Sequence, residues 1–213
     1  MADMEHSLAA YVSDMLALEE HIRVPLGSQR NDRDFSRYPE ASALLERMYT
    51  LCDSHISALE TTLQTLGGHE MSGVKSAVTN IEGWFASAID MVRKTKVAKS
   101  LRDDYTALGL CCISYEMLLT TANGYGNTLV AQLAERHLQD YAGAVMSIGD
   151  AMPAIVIQDL RETGVDASAT AIQNSRNAIH QAWRSQTETP TITGTIESDA
   201  QRNRASSPTY PTI

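Results

Sequence analysis

The sequence has few cysteines and no long apolar run, and each of these absences removes a class of protein. The cysteines are Cys52, Cys111 and Cys112. Their number is odd, and adjacent cysteines on a helix point about 100° apart, so no disulfide framework is visible. No stretch approaches the roughly 20 apolar residues that a membrane-spanning helix needs. The opening residues, MADMEHSLAAYV, are acidic where a signal peptide has a basic flank. We therefore expect a soluble, cytoplasmic protein with reduced thiols.

An excess of positive charge is also missing. The chain has 17 Lys and Arg against 26 Asp and Glu, for a formal net charge of −9. Nucleic acids and anionic membrane surfaces bind through clustered Lys and Arg, so we expect neither as a partner. The motifs of common enzyme classes are absent as well: there is no glycine-rich phosphate loop, no GxSxG elbow, no CxxC pair and no HExxH.

What the sequence does have is helical periodicity over most of its length. Hydrophobic residues make up 43% of the 213 residues, enough for one domain with a core. No run of alternating β-branched residues suggests a sheet, so we predict an all-α protein. The predicted helices cover about 5–22, 40–66, 73–95, 100–123 and 128–149, followed by two short ones at 154–163 and 167–186. Pro25 kinks or ends the first helix, and residues 150–153 close the fifth.

This pattern predicts that the chain is divided into three parts. Residues 1–150 are expected to form a helical bundle, and residues 151–186 two helices that pack on it. Residues 187–213 are rich in Thr, Ser, Pro and charged groups, so they cannot bury enough surface to offset their ordering entropy. We expect a disordered tail there. Its TITGTI segment is a candidate docking site for a protein partner.

Four of the long helices place an ionisable side chain on or beside their apolar face. Glu19 lies within the first helix's face, and His55 is central on the second. The apolar face of the helix at 100–123 is predicted from Leu101, Tyr105, Leu108, Cys112, Tyr115 and Leu119. Glu116 falls at its edge. In the stretch AERHLQDYAG, His137 is central and Asp140 flanks it. Any one of these is explained as a hydrogen-bonded core residue, but a buried unpaired charge is costly, so four together favour a shared metal ion.

Several short motifs resemble the ferritin-like proteins of the bacterial, stress-associated YciF type. SDMLALEE resembles that family's first-helix opening, LETTLQTLGG the end of its second helix, and SYEMLLTTANGYG its HYE-containing helix. The resemblance covers roughly residues 8–150. It implies an antiparallel four-helix bundle with a crossover helix, which is 73–95 here, and often a homodimer. It also implies inward metal ligands, matched here by Glu19, Glu116 and, in place of an acidic run, Asp140.

The chain departs from the ferritin-like pattern at the positions that bridge two metals. Such centres take a Glu from each of two helices and a Glu-x-x-His pair from each of the other two. Cys52 stands three residues before His55, and Ala134 three before His137. Both bridging carboxylates are therefore missing, which disfavours dinuclear oxidase or catalase activity. Glu19, His55, Glu116 and His137, with Asp140 as the family-based candidate, suit a single Zn²⁺, Fe²⁺ or Mn²⁺ ion better.

Two functions remain open from the sequence. The first is a divergent ferritin-like protein that binds one divalent metal ion in its core, with a stress-related role implied by the resemblance. The second is a metal-free ferritin-like scaffold that acts by protein–protein association. We expect a homo-oligomer, a dimer by the same resemblance, in either case.

Overall fold

The computed structural model describes residues 2–67 and 97–187, and these residues are helical apart from their connections. The helices are α1 (Ala2–Arg30), α2 (Pro39–Thr65), α3 (Val97–Tyr125), α4 (Thr128–Glu162) and α5 (Thr170–Thr187), with a short 3-10 turn at Phe35–Arg37. Within these ranges the all-α prediction is confirmed. The predicted crossover helix at 73–95 lies outside the described residues, as does the predicted tail apart from Thr187.

Glycine follows two of the long helices, and an asparagine caps the start of a third. Gly67, just after α2, has φ +77°, and Gly126, just after α3, has φ +69°, backbone conformations that favour glycine. Asn127 then caps α4, because its side-chain oxygen accepts a hydrogen bond from the Val130 N–H at 3.0 Å. The α3–α4 connection is therefore a tight turn, in the gap between the predicted helices at 100–123 and 128–149.

The long helices pack in pairs, and contacts near their ends fix their directions. α1 packs on α2 and α3 on α4, while α1 also contacts α3, and α2 contacts α4. Gln29, near the end of α1, donates to Asp104, near the start of α3. Tyr38, just before α2, and the Ala98 N–H, in the first turn of α3, both donate to Asp159, near the end of α4. So α1 and α4 run one way, and α2 and α3 run the other.

The prediction that the fifth helix closes at residues 150–153 is wrong. The helix continues through Pro153 to Glu162, so the predicted separate helix at 154–163 is the last part of α4. A proline inside a helix costs about 3 kcal/mol. Beyond it, Ile155 and Ile157 are buried, which contributes about 1.5–3 kcal/mol each, and Asp159 is tied to neighbouring elements. Tertiary burial therefore outweighs the break.

A proline also lies within α1. The helix passes Pro25 and ends only at Arg30. Leu26 is 1% exposed and Gln29 is 3% exposed, with the Gln29 amide donating to Asp104 at 2.9 Å. The residues beyond the proline are thus held by packing and by a buried hydrogen bond.

The core is formed by apolar side chains from α1, α2, α3 and α4. Its largest fully buried members are Tyr115, Tyr141, Leu8, Ile22, Leu26, Leu45, Met48, Leu59, Leu101, Leu108, Leu118 and Ile148. Among the helices described, none combines the length and apolarity that a membrane crossing needs. The chain divides into two units, residues 1–172 and 173–213. The second contributes residues 173–187 of α5 to the described part, and packing of this segment on the bundle stays a prediction.

Candidate metal centre

Three of the predicted ligand residues come together inside the bundle. Glu19 on α1, His55 on α2 and His137 on α4 are 0%, 2% and 3% exposed. One carboxylate oxygen and one nitrogen of each imidazole lie within 4.8 Å of one another. The inward positions predicted for these residues are therefore confirmed. They form a buried set of one carboxylate and two imidazoles.

His55 lies between two carboxylates. Its Nδ1 is 3.2 Å from Glu19 Oε1, and its Nε2 is 3.2 Å from Asp140 Oδ2. A neutral imidazole has one N–H and can donate to only one of these oxygens. The second contact then sets a nitrogen lone pair against a carboxylate oxygen. A cation at that contact, either a proton or a metal ion, removes the repulsion.

Two tyrosines complete the surroundings of Glu19. The Tyr115 hydroxyl on α3 donates to Glu19 Oε1 at 2.6 Å, and the Tyr141 hydroxyl on α4 donates to Oε2. Both tyrosines are fully buried, and burial, followed by the charge of Glu19, raises the pKa of each hydroxyl. The sequence pattern places both tyrosines on apolar faces but does not indicate their hydrogen bonds. Their positions on those faces, level with Glu19, were the available signal.

The hydrogen bonds also indicate which ring nitrogen of His137 carries the proton. Tyr115 has a single hydroxyl proton, which goes to Glu19, so its oxygen accepts from His137 Nδ1 at 2.9 Å. Burial, and then the neighbouring His55 and Arg136, lower the pKa of His137 to about 3. His137 is therefore neutral at physiological pH, with its proton on Nδ1 and a lone pair on Nε2. Its ring stacks on that of His55, with centroids 3.8 Å apart and planes 11° from parallel.

The inward position predicted for Glu116 is wrong. Glu116 is exposed, and the preceding residue, Tyr115, points to the centre instead. The buried face of α3 consists of Leu101, Asp104, Ala107, Leu108, Cys111, Tyr115, Leu118 and Ala122. The two faces share Leu101, Leu108 and Tyr115, but the centre of the observed face is rotated from that of the predicted one by about 60° at 100° per residue. The predicted face included Tyr105 and Cys112 and left out Asp104, which is buried and accepts a hydrogen bond from Gln29.

Asp140 lies at the edge of the cluster. Its side chain is 39% exposed, while the His55 side chain that it contacts is 3% exposed. Asp140 is not among the residues whose ligand atoms converge within 4.8 Å. The structure therefore brings it next to a candidate ligand without placing it in the set.

The thiol of Cys52, three residues before His55, is buried and hydrogen-bonded. Cys52 Sγ donates to the backbone carbonyl of Glu19 at 3.2 Å, tying α2 to α1 beside the cluster. Burial, then the charge of Glu19, raises its pKa well above the usual range. Burial raises the pKa of Cys111 in the same way. Thiols with raised pKa values are poor nucleophiles and poor metal ligands, in agreement with a packing role.

Comparison with known proteins gives a structural match alone. No family model matches the chain, and no curated protein matches it. A crystal structure of a protein from Xanthomonas campestris superimposes with a TM-score of 0.62 at 19% sequence identity. The match covers 76% of this chain and 99% of that one. At this identity the likeness concerns the fold, and the chain shares an all-helical fold with the Xanthomonas protein.

Proposed function

We propose that this chain is a divergent ferritin-like protein that binds one divalent metal ion through Glu19, His55 and His137. The observation that carries the proposal is the convergence of three ligand atoms within 4.8 Å in a buried site. Buried ionisable groups persist when they are paired or bind a metal, and here they come from three different helices.

The size and chemistry of the set suit a small divalent ion. Ligand atoms around a tetrahedral Zn²⁺ are about 2.0–2.2 Å from the metal, and hence about 3.4 Å from one another. A separation of at most 4.8 Å closes to that value with small side-chain movements. Two imidazoles and one carboxylate are a ligand set used by Zn²⁺ and by non-haem Fe²⁺, and Mn²⁺ also accepts such ligands. When bound, the ion would supply Lewis acidity at a water-excluded site.

The helix directions support the ferritin-like assignment. α2 ends at the opposite end of the bundle from the start of α3, because its 27 residues extend about 40 Å away from the end where α3 begins. Ferritin-like bundles have one long crossover connection at this point in the chain. We further propose the stress-related role and the homodimer that the resemblance implies, and the cytoplasmic location expected from the sequence.

A dinuclear centre is not part of the proposal. Cys52 and Ala134 occupy the positions of the two bridging carboxylates, and both are fully buried. Oxygen or peroxide consumption after loading with Fe²⁺ or Mn²⁺ would reveal dinuclear chemistry, and we expect no turnover.

The test is metal analysis of the full chain, purified anaerobically and without chelators. We expect about one metal ion per chain, and loss of that ion in a Glu19→Ala, His137→Ala double variant. Glu116→Ala is the matched control, because Glu116 is exposed and is not among the converging ligand residues. Metal in the double variant at the wild-type level, or none in the wild-type protein after incubation with Zn²⁺, Fe²⁺ or Mn²⁺, would refute the proposal.

A second candidate is a metal-free ferritin-like scaffold that acts by protein association, through an outer helix face or the C-terminal segment. It is favoured by the hydrogen bonds of Glu19, whose two oxygens already accept from Tyr115 and Tyr141. This network satisfies the carboxylate without an ion. Under the scaffold function, purified protein holds no metal, and its unfolding temperature is unchanged by added Zn²⁺, Fe²⁺ or Mn²⁺.

A further inference from the structure

The geometry points to Asp140 as a positioning residue, which holds the imidazole of His55 so that Nδ1 faces the metal. This inference rests on the proposed function. It differs from a ligand role for Asp140, which the family resemblance implies.

The two ring nitrogens of His55 contact different carboxylates. Nδ1 faces Glu19 inside the cluster, and Nε2 faces Asp140 at its edge, each at 3.2 Å. The two nitrogens lie on different sides of the ring, so an ion at Nδ1 is out of reach of the carboxylate at Nε2. Asp140 is accordingly absent from the set of converging ligand atoms.

The hydrogen-bond chemistry gives Asp140 its effect. A carboxylate accepts but does not donate, so Asp140 selects the form of His55 with a proton on Nε2. In the neutral imidazole this leaves the lone pair on Nδ1, directed at Glu19. Ligating histidines commonly donate their other N–H to a carboxylate, which fixes the ring and raises its basicity as a ligand.

A comparison within the cluster supports this assignment. The other imidazole is also held at its non-ligating nitrogen, since His137 Nδ1 donates to Tyr115. Both rings therefore have one nitrogen fixed by a partner and one left for the ion. The partners differ in exposure: the Asp140 side chain is 39% exposed, whereas Tyr115 is buried. Asp140 can be changed with less disturbance to the core.

The experiment uses Co²⁺ as a spectroscopic probe on the full chain. The wild-type protein, Asp140→Ala, Asp140→Asn and the control Glu135→Gln are titrated against a competing chelator, and their visible spectra are recorded. Glu135 is an exposed carboxylate on the same helix. We expect Asp140→Ala to bind Co²⁺ about 10- to 100-fold more weakly. Asp140→Asn keeps an oxygen acceptor for the Nε2 proton, so it should regain much of the affinity with unchanged band positions.

Three results would overturn the inference in distinguishable ways. Wild-type affinity in Asp140→Ala would show that Asp140 does not position His55. Altered band positions or intensities in Asp140→Asn would show that Asp140 is itself a ligand. Failure of the wild-type protein to bind Co²⁺ would refute the metal site as a whole. Urea denaturation of the metal-free variants separates a structural effect. Asp140→Ala leaves the buried Nε2–H of His55 without its acceptor and should unfold more easily than Glu135→Gln. Positioning requires that its weaker Co²⁺ binding persist under conditions in which it is folded, and that Asp140→Asn be nearly as stable as Glu135→Gln.

Discussion

Replacing Tyr115 by phenylalanine tests whether the buried polar cluster is the connected network described above. The Tyr115 hydroxyl makes two hydrogen bonds, donating to Glu19 at 2.6 Å and accepting from His137 at 2.9 Å. Phenylalanine keeps the ring and its packing, so no cavity is created. The substitution therefore removes only the oxygen between two buried partners.

The cost of this change can be worked out from its two parts. A hydrogen bond to a charged group contributes about 1.5–3 kcal/mol, and a buried donor left without a partner costs about 1–3 kcal/mol. Because both losses share one hydroxyl, they do not simply add. We expect Tyr115→Phe to lower the free energy of unfolding of the metal-free protein by about 3 kcal/mol. Tyr141→Phe removes one donor to Glu19, so it should cost about 1.5–3 kcal/mol.

The assay is urea denaturation of metal-free protein, with Tyr105→Phe as the matched control. Tyr105 is on the same helix but only half-buried, so its change should stay within about 0.5 kcal/mol. If Tyr115→Phe destabilises the protein no more than Tyr105→Phe does, the hydrogen-bond network around Glu19 does not exist in solution.

Two further predictions concern parts of the fold outside the cluster. Burial raises the pKa of Asp104 to about 7, with the Gln29 hydrogen bond lowering it and Asp103 raising it. The unfolded state loses this proton first, so stability should fall from about pH 4 to pH 7, and Asp104→Asn should remove that slope in urea denaturation at a series of pH values. An equal slope in both proteins would contradict the burial of Asp104. The continuation of α4 predicts that Ile155→Ala, at 2% exposure, costs about 2–5 kcal/mol, against about 0.5 kcal/mol or less for Val156→Ala, at 39% exposure. Similar costs for the two variants would indicate that the helix does not pack beyond Pro153.

The sequence was most informative about side chains whose burial depends on their position around a single helix. Glu19, His55 and His137 each stand among apolar residues at helical spacing, so their inward positions follow from one helix at a time. Cys52 lies one turn before His55 on the same helix face, and it is buried as well. Glu116 lay at the edge of a predicted face, where a rotation of the helix by about 60° is enough to turn its side chain to the surface.

The helix ends were harder to predict for an energetic reason. Pro153 is a local break signal, and from local propensity alone the helix should stop. Burial of Ile155 and Ile157 acts over distances that the sequence pattern near Pro153 does not encode. Asp104 shows the same limit, because a charged residue is assigned to the surface unless its buried partner, Gln29, is known.

Periodicity and composition alone determined the helical class, because the apolar spacing of each helix is a pattern within one continuous segment of the chain. They also nominated Glu19, His55 and His137 as inward candidate ligands, together with Glu116, which is exposed, and Asp140, which lies at the edge. Only the tertiary structure decided what these side chains meet. The hydroxyls of Tyr115 and Tyr141 and the carboxylate of Asp140 come from other turns and other helices, and their partners depend on how the helices are rotated about their axes. That rotation is set by packing across the whole core, not by any single segment.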